Sequence, residues 1–70
     1  MSLGVGISTL TDARKALAVR WDELQRTWDD AAARRFEQDF IRPIDEDLRQ
    51  AIDVMNQTQR AAQRAKQECS

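Results

Sequence analysis

The sequence predicts an all-α protein, an antiparallel two-helix hairpin that dimerises into a four-helix bundle. Three observations carry that expectation. The composition is that of long helices: Ala, Arg, Asp, Gln and Leu are abundant, 33% of residues are charged, and 70 residues include only two Gly and one Pro. Apolar residues recur at spacings of three and four on both sides of the single proline, Pro43. Finally, a chain this short buries little surface by itself. With Cys69 its only cysteine and no histidine, it offers no internal disulfide and no tetrahedral metal site. A second chain is then the expected source of additional core.

Charge narrows the function classes. Eleven basic and twelve acidic side chains are intermixed, for a net charge of −1. Nucleic acid binding calls for a basic stripe, which the sequence does not offer. No apolar run reaches the roughly 18 residues of a membrane span. The N-terminus lacks the basic segment and long apolar core of a signal peptide. Cytoplasmic residence is the expectation, with signal-less export as the alternative.

Residues 1–8 read MSLGVGIS, in which Gly4 and Gly6 alternate with Leu3, Val5 and Ile7. Glycine disfavours helix, so a flexible N-terminal arm is expected, the sharper alternative being an apolar arm packed on a neighbouring chain. Residues 9–70 form the predicted hairpin. Its first helix spans residues 9–41, about 48 Å at 1.5 Å per residue. Thr9 is the N-cap, with Thr11 as a second candidate, and Asp12 meets the positive end of the helix dipole. Asp22 with Arg26, and Asp30 with Arg34, are acid-before-base pairs at i,i+4. Leu10, Leu17, Trp21, Leu24 and Trp28 follow a heptad-like seam, and Ala32, Phe36 and Phe40 continue it in fours, a phase shift that should relax any supercoil. Arg14 and Arg35 interrupt the seam.

The turn is expected at residues 42–43. Proline lacks an N–H and disfavours helix at Arg42, so Pro43 should end one helix and open the next. A single kinked helix is the alternative, since no glycine marks the turn. The second helix should span residues 43–67, with Asp45, Glu46 and Asp47 in its first turn. Its seam runs through Ile44, Leu48, Ala51, Ile52, Met55, Thr58, Ala62, Ala65 and Cys69. Folding back at Pro43 brings Phe36 to Leu48 and Ala51, Trp28 to Thr58, and Trp21 to Ala61, Ala62 and Ala65. Bulky indoles then face small alanines.

No catalytic, cofactor-binding or metal-binding residues are expected. Asp45, Glu46 and Asp47 have no calcium loop around them and suit a helix N-terminus. Asp29 and Asp30 point about 100° apart on a helix, which does not pair them for acid–base chemistry. Cys69 has no neighbouring base, leaving an incidental thiol or an intermolecular disulfide. The informative residues are the large apolar ones. The predicted interface comprises Leu17, Trp21, Leu24, Trp28 and Phe36, together with Phe40, Leu48, Ile52 and Met55. A hairpin has one layer, so such stripes leave apolar area for a partner, and Trp and Phe are strong interface anchors.

A small helical hairpin that pairs through apolar faces resembles the WXG100/ESAT-6-like proteins, substrates and partners of bacterial type VII secretion. The resemblance is architectural. That family carries Trp-x-Gly in its turn, whereas the expected turn here is Ile41-Arg42-Pro43-Ile44 and Trp28 is followed by Asp29-Asp30. The family's Tyr-x-x-x-Asp/Glu export signal has no counterpart, for the chain has no tyrosine. The expected function is a non-catalytic interaction or assembly subunit that forms a homodimer or docks on a larger protein. A type VII-like secreted substrate or secretion partner, and a regulatory subunit of a larger enzyme or ATPase, are the other readings.

Overall fold

A computed structural model describes residues 2–69; Met1 of the predicted arm and Ser70 of the predicted hairpin lie outside the described residues. The protein is 91% helical, and no strand occurs among the described residues. Helix α1 spans Leu3–Gln25, α2 spans Asp30–Phe36, a π-helical turn covers Glu37–Ile41, and α3 spans Arg42–Glu68. The last three run on without a break, with 7, 5 and 27 residues. At 1.5 Å per residue they make an arm about 58 Å long, which accounts for the molecule's 59 Å length against widths of 17 and 13 Å.

Helix α1 begins earlier than Thr9. Ser2 caps it, its Oγ accepting the Val5 N–H at 3.2 Å, so residues 3–8 are helix rather than an arm. The Thr9 hydroxyl instead donates back to the Val5 carbonyl at 2.8 Å. Packing accounts for helix through two glycines. A Cβ on Gly6 would overlap the Met55 Cε of α3, so glycine lets α1 approach α3 closely there.

The expected continuous helix over residues 9–41 is interrupted at residues 26–29. The Thr27 amide and hydroxyl both donate to the Leu24 carbonyl, at 3.1 and 2.9 Å, and the Trp28 amide donates to the Gln25 carbonyl at 3.2 Å. These bonds occupy the Leu24 and Gln25 carbonyls at the end of α1 without a glycine or a left-handed residue. Asp29 then caps α2, its Oδ1 accepting the Ala32 N–H at 2.8 Å, while Asp30 sits in the first turn.

Nor does the chain turn at residues 42–43. The π-helical turn lies just ahead of Pro43, and the Arg42 N–H donates to the Glu37 carbonyl five residues back. Widening the coil by one residue moves the backbone away from the proline ring, which in a straight α-helix meets the carbonyl four residues earlier. Pro43 is thus the second residue of α3 and lies inside a continuous helical arm, directly after the turn that accommodates its ring.

Moving the break moves every contact across the molecule. Gly4 faces Gln59, Gly6 faces Met55, Arg14 bonds Asp45 and Trp21 bonds Glu37, so numbering rises on one arm as it falls on the other. The expected neighbours of Phe36, Trp28 and Trp21 on the second helix are thereby replaced. Trp21 does not reach Ala61, Ala62 or Ala65; those alanines are exposed, and Ala62 lies beside Leu3 and Gly4. The buried core is small, consisting among the described residues of Trp21 and Ala33.

Candidate interaction surface

The aromatic residues gather where α1 ends and the long arm begins. The Trp21 ring lies 5.5 Å from Trp28, edge to face, and 5.3 Å from Phe36. Trp28 is 5.1 Å from Phe36, again edge to face, and Phe36 is 5.0 Å from Phe40. Such geometries match the positive edge of one ring to the negative face of another. Trp21 is 6% exposed, and its indole N–H donates to Glu37 Oε1 at 3.0 Å, which satisfies the one polar atom of that side chain. The break at residues 26–29 puts Trp28 back over Trp21, which a continuous helix cannot do.

The predicted interface residues divide by depth. Trp21 is buried; Leu17, Phe36, Leu48, Ile52 and Met55 are half-buried between the arms; Leu24, Trp28 and Phe40 are exposed. Trp28, 39% exposed, packs one side of its ring on the cluster and presents the other outward. Ile44 and Val54 are also large, apolar and exposed. Ile44 stood in the predicted seam, whereas Val54 lies one position off it. Ala33 and Glu37 were not singled out, and only the 26–29 break, which has no glycine or proline signal, brings them against α1.

The two sides of the paired arms differ in chemistry. One carries an open groove of about 920 Å³ with Leu17, Ile41 and Ile52 in its lining and Lys15, Arg42 and Glu46 charged around them. Arg14 bridges the arms beside it, its Nε and Nη2 donating to the two Asp45 carboxylate oxygens at 2.6 and 3.1 Å. This pair explains the arginine in the α1 seam. The Arg14 hydrogen bond holds the Asp45 carboxyl below its ordinary value, and Asp45 in turn raises Arg14. Arg49 lowers Glu46 in the same way across 2.6 Å. At 100° per residue, Arg42, Glu46, Arg49, Asp53 and Arg60 share this side of α3.

The other side is apolar. The same periodicity places Ala13 and Leu24 of α1 beside Ile44, Ala51, Val54 and Thr58 of α3, with Phe40 and Trp28 at the aromatic end. Arg20 edges it on α1, and Asp47 is a charge within it on α3, between Val54 and Ala51. The α3 stripe from Leu48 and Ile52 round to Ile44, Ala51 and Val54 is broader than one neighbouring helix covers.

Among the described residues no group of three metal-binding side chains gathers, and no helix is long and apolar enough to cross a membrane. No protein-family model, curated protein or solved structure matches the chain. The functional reading therefore rests on the surface itself.

Proposed function

We propose that this protein is a non-catalytic assembly subunit, a helical hairpin that self-associates as a homodimer and closes a four-helix bundle. The observation that carries this reading is its exposed area. The chain exposes 5715 Å². A compact monomer of 8.1 kDa exposes about 4,500 Å², leaving a surplus of about 1,200 Å². Each partner of an obligate homodimer buries about 1,000–2,500 Å², so the surplus is of the size that one copy hides against another. The radius of gyration of 16.9 Å likewise exceeds the about 11 Å of a compact 70-residue domain. Two buried residues are a slender core for a stable monomer.

Thermal unfolding at increasing protein concentration tests the reading. Dissociation coupled to unfolding makes the midpoint rise with concentration by mass action. A midpoint that stays fixed over about a hundredfold dilution contradicts it.

A second reading, a type VII-like substrate or secretion partner, gains one observation. Trp28 lies in the connection between helices, where the WXG100/ESAT-6-like proteins carry Trp-x-Gly, with Asp30 at the glycine position. Accumulation of the protein in culture medium without cell lysis supports export; retention in the cells opposes it.

A further inference from the structure

Resting on the homodimer reading, we infer which side the second copy covers: the face of Leu24, Phe40, Ile44, Ala51 and Val54, with the Arg14–Asp45 side left facing water. The two sides are unequal. On the Arg14–Asp45 side the large apolar residues Leu17, Ile41 and Ile52 are already half-buried, and packing a copy there would strip water from Arg42, Glu46 and Arg49. The opposite side offers large apolar side chains already exposed, including Leu24, Phe40, Ile44 and Val54.

A second copy is the occupant that fits. The stripe extends along the 27-residue α3 rather than forming one pocket, as expected of a face that meets a long helix of the same kind. The surplus of about 1,200 Å² lies at the lower end of one partner's share of an obligate homodimer. Arg20 edges the face on α1, and Asp47 lies within it on α3 between Val54 and Ala51, so a two-fold-related copy that lays α1 over α3 brings a basic side chain towards that acidic one. The aromatic cluster closes one end of the face, where Trp28 and Phe40 supply anchors.

Two valines make a matched test. Val54 is 60% exposed and lies on the proposed face; Val19 is 58% exposed and points away from it on α1. Val54→Cys and Val19→Cys are made separately in a Cys69→Ser background, and each thiol is labelled with a maleimide while light scattering reports the mass. The expected result is a dimer in which Val54→Cys reacts about tenfold more slowly than Val19→Cys, the rates converging as dilution dissociates it. Equal rates in a dimer, or slower reaction of Val19→Cys, overturn the assignment of the face while leaving the dimer intact. A monomer with equal rates at every concentration overturns the homodimer reading itself.

Discussion

At the scale of single residues, Trp21 joins the two arms. Its ring is enclosed by Trp28 and Phe36, and its N–H is held by Glu37. Trp21→Ala should destabilise the protein by about 3–5 kcal/mol in urea unfolding, the range for emptying a buried indole site. Glu37→Ala should cost about 1–3 kcal/mol, because it leaves a buried donor without a partner. The Arg14–Asp45 pair predicts a pH dependence. Asp45 and Glu46 are held below their ordinary values of 3.8 and 4.5, so their stabilisation is fully present above about pH 4.5 and lost as pH falls through the lowered values. The urea midpoint should drop on acidification through that window, and Asp45→Asn should make the drop shallower. Trp21 was legible as an anchor from its place in the seam. Its hydrogen-bond partner was not, since Glu37 reaches it only through a break that leaves no glycine or proline in the sequence.

At the scale of elements, helix was legible and its punctuation was not. Pro43 is the strongest breaker in the sequence, yet the π-helical turn over Glu37–Ile41 absorbs it, and hydrogen-bond phase of that kind leaves little trace in residue type. The actual break depends on Thr27 and Asp29, ordinary polar residues whose capping role emerges only when the chain bends there. Thr9 has the chemistry of a cap and does not act as one, because packing of Gly6 against Met55 extends α1 back to Ser2. Two outcomes check this. Pro43→Ala should leave the Stokes radius and the helical circular dichroism unchanged or the latter slightly stronger; a marked change in dimensions would show that the proline sets the reversal. Asp29→Ala should lower stability by about 0.5–2 kcal/mol through loss of the α2 cap.

At the scale of the whole molecule, a chain 59 Å long and little more than one helix pair across cannot enclose a large apolar core. Composition already made that legible, through the small size, the single cysteine and the broad apolar stripes. Which side of the pair stays apolar was not legible until the break fixed the register between arms, since moving the turn rotates and slides one stripe against the other. With Arg14 set against Asp45, the ion-paired residues of α3 fall on one side and the exposed Leu24, Phe40, Ile44 and Val54 on the other. The central claim is that this protein exists as a pair. Sedimentation equilibrium across a range of concentrations measures it directly: the account predicts a mass near twice 8.1 kDa that falls towards 8.1 kDa on dilution, and a mass of 8.1 kDa at every concentration, with cooperative unfolding, would contradict it.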